Sequence, residues 1–223
     1  MIPWEELDTA AIPDGGGQLR LMRRGAEFSI MAGSTELMNS RVRGSEEALA
    51  TLSLERLRDR SNPNILIGGL GMGFTIRAAL AARTDVTVTV AELVPAVVAW
   101  ARGALAPVFI GSLDDPRVEV VVGDVGTLIR PVRNAYDAIL LDVDNGPGGL
   151  SRAANDGLYS VKGLAAARLA LRPRGILAVW SSHPDSGFTR RLQQSGFAVE
   201  ELPVRANGRR GARHLIWMAT RDR

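Results

Sequence analysis

The chain has 223 residues, 46% of them hydrophobic, which suits one domain with a substantial core, or one domain and a small appendage. Cysteine is absent, so disulfides, thiolate metal sites and a cysteine nucleophile are excluded. Net charge is only +3, and the cations gather late, as Arg205, Arg209, Arg210, Arg213, Arg221 and Arg223. No aromatic interleaving or reader motif accompanies those arginines, so a solvated loop is expected there and no nucleic-acid partner.

The opening stretch MIPWEELDTA carries acids early and no apolar core, which argues against a secretory leader. No apolar run reaches the roughly 18 residues of a membrane span. A cytoplasmic protein with no membrane partner is expected. Residues up to about Pro13 read as a poorly specified lead-in. Gln18 to Arg23 and Glu27 to Met31 alternate apolar and polar residues around Arg24-Gly25, which predicts a small β-hairpin. A third strand is possible at Glu36 to Asn39. Ser45 followed by Glu46 and Glu47 reads as an N-cap with acids in the first turn, opening a helix that runs to about Arg58. Ser61-Asn62-Pro63 stops it.

Strands and helices then alternate. Ile65, Leu66 and Ile67 form a buried strand that enters a glycine turn (Gly68, Gly69, Gly71, Gly73), and an apolar helix follows from Phe74 to about Ala82. Val86 to Glu92 is a second strand, with a helix from Pro95 to about Leu105. Val118 to Val122 is the third strand, before Gly123-Asp124 and a short helix. Tyr136 to Asp142 is the fourth, before a glycine-rich loop from Asn145 to Leu150. A helix from about Tyr159 to Leu171 ends at Arg172-Pro173-Arg174-Gly175, and Ile176 to Ser181 is the fifth strand. Asp185 caps a helix to Gln194. Phe197 to Val204 and Leu215 to Thr220 close the chain as two strands joined by the loop Asn207-Gly208-Arg209.

Continuous apolar strands separated by helices imply a parallel sheet covered on both faces, here with an antiparallel hairpin at one edge. The expected fold is α/β and Rossmann-like: a mostly parallel seven-stranded sheet in residues 45–223, preceded by a small N-terminal β-hairpin segment in residues 1–44. The exposed edge hairpin is compatible with a homodimer.

In such a sheet, ligands bind at the carboxyl ends of the strands, near the switch in strand order. The glycine turn, Glu92, Asp124 and Asp142 with Asp144 all fall at that edge. A plainer reading exists for each: a packing turn, helix caps at Glu92 and Asp124, and turn formers at Asp142 and Asp144. Glu92 lies close to the roughly twenty-residue spacing of a ribose ligand after a glycine turn. The chain lacks GK[ST], so a triphosphate site is not expected. An adenosine ligand fits, with Glu92 accepting from the ribose hydroxyls and Asp124 from the adenine amino group. A dinucleotide stays open, although the edge hairpin and the acid after the third strand favour S-adenosylmethionine or a relative of it. No metal site is expected.

The segments ILIGGLGMG, VAELVPAVVAWAR, VEVVVGD, YDAILLDVDNGPG and LYSVKGLAAARLALRPRGILAVWSS resemble the spermidine synthase family and its methyltransferase-like relatives. The likeness runs from about Leu19 to Thr220. It implies a class I core that binds S-adenosylmethionine or its decarboxylated form. It also implies that Asp142 matches the family's first aspartate after strand four, which helps deprotonate the attacking amine. The second aspartate falls at Asn145, with Asp144 displaced by one. The family's polyamine-contacting glutamine falls at Glu36, its tyrosine-histidine pair at Gly44-Ser45, and the acid of its glycine loop at Met72.

Asp142 is the first candidate base and His183, after the fifth strand, the second. Tyr159 is a candidate for the acceptor pocket, or else a packing aromatic. The expected activity is transfer of a methyl group to a small-molecule acceptor, with aminopropyl transfer as the alternative. A nicotinamide oxidoreductase and a non-catalytic nucleoside-binding module remain as further readings.

Overall fold

The computed structural model describes residues 2–143, 146–147, 157–207 and 210–222. The first sheet is antiparallel, in the order β1 (Glu5–Ala11), β2 (Gln18–Arg24), β3 (Glu27–Ala32), β4 (Thr35–Asn39). The expected hairpin is therefore the middle of a four-stranded sheet, and the supposed lead-in contains its first strand. A register irregularity between Glu6 and Asp8 breaks the alternation of β1. The strand pairs with β2 along an antiparallel ladder and packs Leu7 and Ala10 on the core, with exposed ion pairs of Glu5 with Arg23 and Glu6 with Arg20 across it.

Helix α1 (Gly44–Arg56) starts before its expected cap. Arg43 occupies the N-cap without a side-chain bond, and Ser45 lies inside the helix, fully buried. Next come β5 (Asn64–Gly68), α2 (Phe74–Ala82), β6 (Thr87–Glu92) and α3 (Pro95–Arg102). Gly103 ends α3 earlier than expected, and a separate turn, α4 (Ala106–Phe109), follows. Strand β7 (Val118–Val122), α5 (Val125–Ile129), β8 (Tyr136–Leu141) and α6 (Val161–Ala170) complete the alternation. Strand β9 (Leu171–Ser181) begins directly where α6 ends, so the expected stop at Arg172 to Gly175 is strand. Helix α7 (Ser186–Gln194) carries the expected Asp185 cap, which accepts from the Gly187 and Phe188 N–H groups. The closing hairpin, β10 (Phe197–Asn207) and β11 (Arg210–Arg221), is longer than expected, and two residues of its predicted loop, Gly208 and Arg209, lie outside the described residues.

The second sheet has the order β10-β11-β9-β8-β5-β6-β7, with β9 to β7 parallel and β11 antiparallel to both neighbours. Alternate residues of its central strands face opposite layers. Ile65, Ile67, Ala138 and Leu140 join the core under α1, α2 and α3. Leu66, Ile139 and Leu141 join the core under α5, α6 and α7. Leu19, Leu21, Phe28 and Ile30 of the first sheet belong to the former core, and the Trp100 indole donates to Asp8 at 2.6 Å. The small sheet is thus packed onto the α3 side of the large one. The chain leaves β5 toward β6 on one side and returns as β8 on the other, so the switch in strand order opens a crevice after β5 and β8.

Candidate functional site

A cavity of about 490 Å³ fills that crevice. Its floor is the glycine turn (Gly69, Gly71), Glu92, Asp124 and Asp142, and its roof is the first sheet, with Ile12, Gln18, Leu19 and Ile30. Gly69 is left-handed, and a Cβ there would strike the Asp142 carbonyl oxygen, so only glycine lets β5 turn beside β8. Gly73 is left-handed too, and a Cβ would meet the Phe109 ring. Gly68 does not line the cavity; it packs on Leu141 and Val125.

Glu92 is 8% exposed at the end of β6. Its two oxygens accept from the Leu70 N–H at 2.9 Å and the Val94 N–H at 2.8 Å. Burial pushes its pKa up, against the pull of the Val94, Leu70, Leu93 and Gly71 N–H groups. The carboxylate is fixed in place, and each oxygen keeps a lone pair for a hydroxyl of a ligand. Asp124 caps α5 through the Gly126 N–H at 2.7 Å and also lines the cavity. A buried carboxylate between backbone donors, beside a turn too crowded for side chains, suits a nucleoside with a vicinal diol.

A smaller pocket of about 110 Å³ adjoins the first, sharing Leu37, Met38, Gly71 and Asp142 with it. Its other walls include Glu46, Met72, Phe74, Thr75 and Trp180. Asp142 is raised to about 7, because it is buried and because the charge of Glu46 acts on it. Burial also raises Glu46. The Thr75 hydroxyl lies 3.0 Å from the Asp142 carboxylate. The Ser45 hydroxyl donates to Glu46 at 2.7 Å, and His214 Nδ1 lies 2.9 Å from the same hydroxyl. Two carboxyl groups therefore face one small pocket, and no arginine or lysine lines it among the described residues. Such a pocket favours a cation or a proton.

Glu46, Thr75, Ser45 and His214 were missed as site residues. One signal for Glu46 was available: it stands four, seven and eleven residues before Ala50, Ser53 and Leu57, the buried face of α1, so helical period turns it inward.

Of the candidates, Gly69, Gly71, Glu92, Asp124 and Asp142 come together at the larger cavity and Gly73 at the smaller. His183 lies on the surface after β9, 2.9 Å from the Ser182 hydroxyl, and lines neither cavity. Glu36 is turned to Ser29, Asn39 and Arg41, while its neighbours Leu37 and Met38 reach the site. Tyr159 packs edge-on against Phe188, 5.4 Å between centroids, away from both cavities. Asp144 and Asn145 lie outside the described residues. No cluster of metal-ligating side chains occurs among the described residues, and no helix among them is long and apolar enough to cross a membrane.

The sequence model of the spermine/spermidine synthase domain matches residues 44–187. The chain is similar to polyamine aminopropyltransferase 1 of Streptomyces coelicolor, 34% identical over 149 residues that cover 63% of this chain and 27% of that protein. It is equally similar to the polyamine aminopropyltransferase of Mycobacterium tuberculosis, 34% identical over 153 residues that cover 63% and 28%. The chain thus matches little more than a quarter of the length of these relatives. Among solved structures it resembles spermidine synthase from Thermotoga maritima, with a TM-score of 0.78, 19% identity and coverage of 97% and 72%. It also resembles the 1,6-didemethyltoxoflavin-N1-methyltransferase of Burkholderia thailandensis, with a TM-score of 0.59, 18% identity and coverage of 81% and 80%. At these identities the likeness to solved structures concerns the fold alone. The sequence match spans α1 to the start of α7, including both carboxylates of the smaller pocket, and the chain belongs to the spermine/spermidine synthase family.

Proposed function

We propose that this protein is a transferase that moves an aminopropyl group from decarboxylated S-adenosylmethionine to a primary amine. The observation that carries this reading is the pair Asp142 and Glu46, two half-buried carboxyl groups that face one small pocket adjoining the nucleoside cavity. The aminopropyltransferase activity named for the curated relatives favours it over methyl transfer, which the sequence reading had placed first.

The charge around the shared wall supports the choice of donor. The decarboxylated tail ends in an ammonium group alone, which suits Asp142 and Glu46. The intact tail would bring a carboxylate toward two acids. Arg20, a cationic side chain on the larger cavity, is turned to the Gly33 carbonyl and Glu6. Glu92 and Asp124 would hold the nucleoside, and the glycine turn would lie along its tail.

The donor supplies an electrophilic carbon on a sulfonium, whose thioether leaves without an acid. The protein's part is to position the amine and to take its proton. Asp142 suits this part. Its raised pKa puts it near the operating pH, where it exists in both forms, and Thr75 fixes the carboxylate.

The test is calorimetric titration with S-adenosylmethionine, its decarboxylated form and methylthioadenosine, followed by incubation with a diamine and mass analysis of the product. Tighter binding of the decarboxylated donor and a mass gain of one aminopropyl unit are expected. Preference for the carboxylated donor, with methyl transfer, would overturn the reading. Asp142→Asn should lose turnover while weakening the cationic donor only modestly and leaving neutral methylthioadenosine unchanged; collapse of binding of both would make Asp142 a binding residue and not the base.

A further inference from the structure

From the chain of contacts His214–Ser45–Glu46, we infer a path by which the proton taken from the acceptor amine leaves the smaller pocket. This rests on the transferase reading above. A primary amine enters such a pocket as an ammonium ion. It gives up one proton, its lone pair forms the new N–C bond, and the C–S electron pair stays on sulfur. The product amine is again cationic, so each transfer releases one proton. That proton begins on the two carboxyl groups that face the pocket together, Asp142 and Glu46, which are half-buried and close enough for the charge of one to act on the other.

The outlet is visible in the hydrogen bonds. Ser45 is fully buried, and its hydroxyl is 2.7 Å from Glu46 Oε2 and 2.9 Å from His214 Nδ1. With the hydroxyl proton on Glu46, the serine oxygen must accept from Nδ1–H. Transfer outward reverses this line. With the imidazole in its Nε2–H form, protonated Glu46 donates to the serine oxygen, the serine hydroxyl passes its own proton to Nδ1, and the imidazolium sheds the Nε2 proton. The end state has an ionised Glu46 and an Nδ1–H imidazole, which is the arrangement that the contacts require. Exchange of the ring proton with solvent restores the Nε2–H form for the next turn, when Glu46 is again protonated.

His214 is suited to the outer position. It is partly exposed on β11, with Trp180 edge-on at 4.8 Å holding the ring. Burial, and secondly the charge of His183, lower its pKa, which favours release of the proton from the ring. Arg213, beside it on β11, and Arg205, which pairs with Arg213 from β10, belong to the other face of the hairpin by strand alternation. Position 45 falls where the family resemblance places a histidine. Here a histidine from a strand 169 residues away meets the hydroxyl of that residue.

The test uses the full chain with decarboxylated S-adenosylmethionine and a diamine at low buffer concentration. His214→Asn keeps an N–H group close to the place of Nδ1 but cannot pass a proton on. Its kcat should fall about tenfold, with KM for the diamine unchanged and activity restored by added imidazole. A kcat equal to wild type, or a loss that imidazole does not restore, would overturn the path. Nitrogen NMR of the imidazole gives a readout that needs no turnover. His214 should be the Nδ1–H tautomer, and Glu46→Gln should lower its pKa by removing the carboxylate at the end of the chain. An Nε2–H tautomer, or a pKa indifferent to Glu46→Gln, would also overturn it. If the wild type transfers nothing, the transferase reading fails, while the nitrogen spectra still decide whether these three residues form one proton path.

Discussion

Glu92 and Asp142 are both carboxylates at strand ends, yet their surroundings prepare them for different work. Glu92 is clamped by backbone N–H groups, so it serves as a fixed acceptor. Glu92→Ala should weaken nucleoside binding by about 1.5–3 kcal/mol for each hydroxyl it holds, read by calorimetry. Unchanged affinity would remove it from the site. Asp142 sits at about 7 in the folded protein, against about 3.9 in an unfolded chain. The folded state therefore binds this proton more tightly. The stability it contributes is complete below the unfolded value and is lost as pH rises through about 7. Asp142→Asn should melt above the wild type at about pH 8.5 and show roughly half that advantage at about pH 5.5. An advantage that does not grow with pH would contradict the burial argument.

At the scale of elements, local chemistry made some boundaries legible and non-local contacts hid others. The turn from β5 into α2 and the Asp185 cap of α7 are written in neighbouring residues, and both stand as expected. Strand β1 was hidden because a register break between Glu6 and Asp8 interrupts its alternation and it turns only Leu7 and Ala10 to the core. Ser45 reads as an N-cap in sequence, but packing carries α1 past it and turns its hydroxyl to a histidine on β11. The start of β9 was misread as a stop because Arg172 answers to a buried partner. Asp137 of β8, 1% exposed, is held by Arg60 at 2.8 Å, Arg172 at 2.7 Å and the Asn64 N–H at 2.9 Å. This group ties the loop after α1 to β5, β8 and β9 at the sheet edge opposite the cavities. Asp137→Ala should cost about 3 kcal/mol in denaturant unfolding, because it leaves two arginines without their shared carboxylate. A loss below about 1 kcal/mol would show that solvent takes over its role.

For the whole molecule, the first sheet is both a wall of the nucleoside cavity and a part of the larger sheet's core. We propose that the division near residue 44 marks a change of architecture and not two independently stable units. Methylthioadenosine should raise a single melting transition; two transitions, only one of which moves with ligand, would separate the sheets. The wall that the two cavities share also gives the proposed cycle a direction. Asp142 lines both cavities, so in the proposed cycle the sulfonium brings its positive charge to that carboxylate. Once sulfur becomes neutral, that counter-charge is gone from a place where an ion is poorly solvated. The spent nucleoside is then held by one attraction fewer than the donor was, and the site favours its departure over its return. Turnover would act as an electrostatic ratchet. The ratio of donor to thioether affinity should widen as pH rises through about 7, and a ratio flat in pH would show that Asp142 takes no part in it.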